Sequence, residues 1–204
     1  NSPPGHSDAM DLAKMLAVLE LIEPLQGPDF RIWKQTRTGL LSYPLDPAAA
    51  RAHLAASVYV QMALKPHIIH VVGHTEADHA ATGEDVIEAC GLARRAIDNA
   101  LRGAPDMTAD PAVQARKEQI KAEVELILQA IRELAPASAD PLADPAALAR
   151  AVGVGIMDAP QLRNNRFARG AVQTRIHNGA SIAVDSQGRL LAEETRLANL
   201  NPEK

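Results

Sequence analysis

Cysteine is almost absent. Cys90 is the only one, which excludes an internal disulfide and a thiolate metal cluster. A lone thiol inside a helical pattern fits a reducing compartment, so a cytoplasmic location is expected. Aromatic residues are scarce too, at 2%, with one Trp, two Tyr and two Phe. That leaves no stacking platform for single-stranded nucleic acid, and a formal net charge of −4 removes the basic footprint of a nucleic-acid binder. No apolar run approaches the roughly 18 residues of a membrane-spanning helix. No secretory leader pattern is visible, and no repeat stands out.

What is present is helix-forming sequence broken by short polar turns. Hydrophobic residues make up 47% of the 204, many of them alanine. Ser7 reads as an N-cap for a helix to about Leu25, with Leu12, Met15, Leu16, Leu19 and Ile22 at helical spacing. A strand is expected over Asp29–Arg37, a helix over Ala48–Leu64, a strand over His67–Gly73 and a helix from Gly83 or Glu84 to Arg102. Asp110-Pro111 opens a further helix ending near Leu134. Residues 136–145, rich in Ala, Asp and Pro, read as a linker. A short helix follows over Asp144–Val152, then a small β-containing tail with a strand at Ile182-Ala183-Val184 and a turn at Asp185–Gly188. Residues 1–135 are thus one expected domain and 136–204 a linker with a tail.

Strand–helix–strand order calls for parallel strands joined by crossovers. Two such strands leave both edges open, and parallel strands need cover on both faces. The expected fold class is therefore α/β, with the sheet completed by residues upstream or by another chain.

The carboxyl end of a parallel strand is where ligands bind in α/β folds, and both expected strands end in polar residues. The second runs into His70-Val71-Val72-Gly73-His74-Thr75-Glu76-Ala77-Asp78-His79. In an extended chain His70 and His74 point the same way, and Gly73 leaves room for a close ligand. Glu76 and His74 are the candidate catalytic pair, because a carboxylate and an imidazole can bind and exchange protons near neutral pH. His70, Gly73, Thr75 and His79 are candidate binding residues. At the first strand end, Thr36 and Arg37 join them, since a guanidinium can clamp a carboxylate or phosphate. A plainer reading stands beside each: satisfied histidines in a capping loop, and a solvated arginine. Two histidines four apart with a carboxylate are zinc-type donors, but on a strand they make a poor chelate and the His-Glu-x-x-His pattern is missing. No metal site is expected.

Asp29-Phe30-Arg31-Ile32, Ala55-Ala56-Ser57-Val58-Tyr59, His70-Val71-Val72, Glu76-Ala77, Thr82 and Gly155-Ile156-Met157-Asp158-Ala159-Pro160 occur in an order and spacing that resembles the large barrel subunit of glutamate mutase (methylaspartate mutase). The resemblance runs from about Gly5 to Leu191. It implies the carboxyl-terminal part of a (β/α)8 TIM-type barrel, with a helical and small β tail. It also implies adenosylcobalamin, held together with a cobalamin-binding partner subunit or domain. The partner's Asp-x-His-x-x-Gly motif is absent here. Glu76 matches the glutamate of the family's Lys-Thr-Pro-His-Glu-like strand end, whereas the lysine position falls at Val72 or Gly73. The family's substrate-holding arginines belong to the first half of the barrel, outside this stretch.

The leading expectation is an isomerase component, part of a mutase-like enzyme that rearranges the carbon skeleton or amino group of an amino acid. Its partners would be the cobalamin-binding subunit, the amino-terminal half of the barrel or a second chain, and a small-molecule substrate. The rivals are a non-catalytic scaffold or assembly subunit and, further off, an unrelated barrel lyase or aldolase.

Overall fold

The structure is a computed structural model and describes residues 5–200. It divides into two compact units, residues 1–118 and 119–204, with the division inside a long helix. The sequence suggested 135/136, where that helix ends. The helix stops just before the compositional signal and contributes residues to both units.

In the first unit, α1 spans Asp8–Ile22 and is capped by Ser7, whose side chain accepts from the Met10 amide. β1 covers Gln35–Arg37, α2 Pro47–Gln61, β2 Ile68–His70 and α3 Gly83–Leu101. Pro47 occupies the first turn of α2 behind the N-cap Asp46, where a missing N–H costs nothing. Thr82 and Asp85 form a reciprocal capping box at the start of α3; this satisfies two amides that the helix leaves free.

β1 and β2 are adjacent and parallel, with Gln35 opposite Ile68, Thr36 opposite Ile69 and Arg37 opposite His70. Both are three residues long, shorter than the sequence suggests. The Lys34 amide donates to the His67 imidazole at 3.1 Å, so a side chain takes the place of a further ladder bond. Upstream, Gly27 and Phe30 close a local turn. Among the described residues this sheet has two strands, and neither outer edge is paired.

One face of the sheet is covered. Ile69 packs on a core of Tyr43, Leu54, Val58, Val72, Ala89, Ala93 and Ala96, and the small alanines let α2 and α3 approach closely. Gln35, Ile68 and His70, on the other face, are exposed. A second cluster joins Leu12 and Ala13 of α1 to Leu64 and Val113.

The long helix α4, Pro111–Leu134, leads into the second unit, followed by α5 (Pro145–Val154), the hairpin β3 (Gln173–His177) and β4 (Ala180–Val184), and α6 (Glu193–Ala198). Asn178 and Gly179 connect the hairpin, both with positive φ, as a tight two-residue turn requires. Asp158 accepts from the amides of Ala159, Gly170, Ala171 and Val172 at 2.8–3.1 Å. Buried Arg196 donates to the carbonyls of Gly155 and Ile156 at 2.7 and 2.8 Å. The Gly-Ile-Met-Asp turn is therefore a fastening point of the tail. Among the described residues, no helix is long and apolar enough to cross a membrane.

Candidate functional site

The loop that follows β1 is held by side chains from α2. After β1, the Thr38 hydroxyl donates to Ser57 Oγ at 3.0 Å, and Gln61 Nε2 donates to the same oxygen at 2.8 Å. Ser42 bonds the Gly39 carbonyl at 2.6 Å and lies 2.9 Å from His53 Nε2. His53 stacks edge-on against Tyr43, with ring centroids 5.3 Å apart.

Tyr43 ties the two strand ends together. Its hydroxyl donates to the Val72 carbonyl at 2.8 Å inside the core. Burial pushes the phenol up to about 12, and the negative charge of Glu76 adds to this, while a hydrogen bond with Thr38 opposes it.

After β2 the chain stops alternating. His70 is exposed, whereas Val72 and His74 are buried. The expected shared direction of His70 and His74 is not adopted, because the ladder ends at His70 and Val72 turns into the helix-side core. The Glu76 carboxylate folds back onto the Gly73 amide at 2.5 Å. A Cβ at position 73 would come 3.0 Å from that carboxylate oxygen, so the room left by the glycine is filled by the chain's own Glu76. His79 is exposed and pairs with its neighbour Asp78 at 2.9 Å.

His74 sits differently. Its side chain is only 1% exposed, and Nε2 lies 3.4 Å from Glu88 Oε2. That is ion-pair range, but neither ring nitrogen has a hydrogen-bond partner. Arg51 grips Glu88 with Nε and Nη2 at 2.7 and 3.1 Å. This grip, with a smaller contribution from His74, holds the Glu88 carboxyl below its ordinary range.

The structure thus brings Thr36, Arg37, His70, Gly73, His74, Thr75 and Glu76 to one end of the strand pair, while His79 lies out on the loop surface. Buried Thr36 Oγ1, Arg37 Nε, Thr75 Oγ1 and both nitrogens of His74 have no hydrogen-bond partner. Buried polar groups are usually paired, so this concentration at one strand end is the unusual feature of the unit. Arg37 makes no hydrogen bond or ion pair among the described residues, and it stands in register with His70. No protein-family model and no curated protein matches the sequence.

Sequence reasoning missed Tyr43, Arg51 and Glu88. Arg51 and Glu88 are 37 positions apart, and each reads alone as a solvated helix charge. A cleft of about 840 Å3 in this unit is lined by Leu19, Lys34, Leu64, Lys65 and Asp106 among others. It contains none of the residues at the strand mouth. The orphaned polar atoms fit hydrogen bonding to a polar ligand. No Asp in the sequence is followed by His at +2 and Gly at +5. Among the described residues, no three His, Cys, Asp or Glu side chains gather as metal ligands.

Proposed function

We propose that this chain is a component of an adenosylcobalamin-dependent, mutase-like enzyme. In that reading β1 and β2 belong to a TIM-type barrel, and their carboxyl ends form part of the wall around an amino-acid substrate. The observation that carries the reading is Arg37. It is a partly buried guanidinium with no partner, beside His70 in the ladder, on the face away from α2 and α3. In a closed barrel that face lines the interior. An unpaired cation there suits the carboxylate of a substrate, which it can clamp through two parallel N–H donors. The cofactor would supply the radical chemistry. The protein's part is to bind the acid, orient it and keep water away. The resemblance to glutamate mutase supports the same assignment, and so do the two open sheet edges, which other strands would cover.

One observation favours the scaffold reading instead. Glu76, matched to the family's glutamate, is spent on the Gly73 amide, and the lysine position is occupied by the buried Val72 or by Gly73 itself. The test is assembly. Mixed with a flavodoxin-like cobalamin protein and the remaining barrel strands, the chain is expected to co-elute with corrinoid absorbance and to give adenosylcobalamin-dependent rearrangement of an amino acid. The chain alone is expected to retain no corrinoid. Tight stoichiometric corrinoid binding by the chain alone would overturn the partner assignment, and an assembled but inert complex would favour the scaffold.

A further inference from the structure

The contact between His74 and Glu88 has more structure than a chance ion pair. Glu88 projects from α3 and is fixed by Arg51 from α2, through donors to both carboxylate oxygens. Arg51 is itself anchored by Nη1 to the Pro47 carbonyl at 3.3 Å, one turn earlier in its helix. The two helices carrying this pair are packed through Leu54 and Ala89. Oε2, the oxygen that takes Arg51 Nη2, is also the one facing His74 Nε2. An ionised carboxylate only accepts hydrogen bonds. A neutral imidazole held against it must therefore carry its proton on Nε2, and Nδ1 becomes the free acceptor. That nitrogen is buried and without a partner, although the ring is almost wholly enclosed.

We propose that Arg51 and Glu88 are positioning residues for His74. Arg51 locks the carboxylate, the carboxylate fixes the ring as the Nε2–H tautomer, and Nδ1 is presented as an acceptor for an N–H or O–H group of a ligand bound at the strand mouth. A substrate amino group has that chemistry. The ligand half of this statement rests on the reading given under Proposed function; the tautomer half does not.

The geometry makes a specific statement about Glu88→Gln. One of the two Arg51 donors must lose its acceptor, and the shorter contact, Nε to Oε1 at 2.7 Å against 3.1 Å for Nη2 to Oε2, keeps the amide oxygen at the Oε1 position. The amide NH2 then faces Nε2, which must turn into an acceptor, and the proton moves to Nδ1. The substitution inverts the tautomer without changing the shape of the side chain.

The experiment is long-range nitrogen–proton correlation NMR on the full chain labelled with nitrogen-15, in the pH range where the ring is neutral. The His74 signal is assigned by its loss in His74→Gln. The wild type is expected to show the Nε2–H form, Glu88→Gln the Nδ1–H form, and Arg51→Ala a mixture of the two. A histidine that is merely packed would keep one tautomer in all three. A wild-type ring that averages both forms, or carries its proton on Nδ1, overturns the proposal. So does an unchanged tautomer in a folded Glu88→Gln. If that variant fails to fold, the wild-type spectrum decides alone. The spectra need neither cofactor nor substrate, so their outcome is separate from that of the mutase reading: an inert assembled enzyme with the expected tautomers would remove the function and leave the positioning pair standing.

Discussion

Replacing Tyr43 with Phe removes a single oxygen and keeps the ring in its core. That oxygen donates to the Val72 carbonyl at 2.8 Å, and Val72 is fully buried, so the carbonyl has no water to turn to. Leaving such an acceptor unsatisfied costs about 1–3 kcal/mol. The phenol also carries a pH signature. Its value in the folded protein is raised to about 12 from an ordinary 10, so folding favours the protonated form. The stability this confers is fully present below pH 10 and is lost as pH rises towards 12. At roughly 1.4 kcal/mol for each tenfold change, the loss is at most about 3 kcal/mol. Tyr43→Phe has no such group to lose. The variant should therefore be less stable than the wild type at pH 8, and the gap should narrow, and then close or reverse, between pH 10 and 12. Urea unfolding followed by circular dichroism at a series of pH values measures both effects. Equal stability at pH 8, or a gap that does not change up to pH 12, would refute the reasoning.

Other predictions concern packing and the tail. Asp158→Ala strips four amides of their acceptor and should destabilise the second unit by about 3 kcal/mol or more, with faster hydrogen exchange at residues 170–172. In Gly170→Ala, a Cβ would lie 2.6 Å from the Arg163 backbone at a φ of +58°; the loss should exceed about 2 kcal/mol in thermal unfolding. Leu54 is fully buried, and Leu54→Ala should lower the stability of the first unit by about 2–5 kcal/mol, measured by urea titration.

The helices were legible because their signals are local. Ser7 and Asp110-Pro111 are capping sequences that need no distant partner, and the apolar spacing between such signals does the rest. The parallel pairing of β1 and β2 was legible from element order. Strand length was not, because the His67 side chain that takes the Lys34 amide comes from 33 positions away. The polar strand ends were visible as candidates, but their roles were not. A period of two carried past His70 puts His74 on the wrong face, and nothing local reports that Val72 joins the α2–α3 core. Glu76 reads as a free carboxylate until Gly73 is seen to bind it. Arg51 and Glu88 acquire meaning only when two helices bring them together around His74. In the tail, the Asn178-Gly179 pair carries a strong hairpin signal, but Ile182-Ala183-Val184 and the turn at 185–188 mark out only one strand of the two.

The central claim is that the unpaired Arg37 holds a substrate carboxylate at the mouth of a barrel. The most direct measurement is kcat/KM for adenosylcobalamin-dependent rearrangement of an amino acid by the assembled enzyme, with wild-type Arg37 and with Arg37→Gln. Loss of a charge-assisted hydrogen-bonding contact is worth about 1.5–3 kcal/mol, so the substitution should lower kcat/KM by about 10- to 150-fold, mainly through KM. An assembled wild-type enzyme with no cofactor-dependent turnover, or an Arg37→Gln enzyme with unchanged kcat/KM, would contradict it.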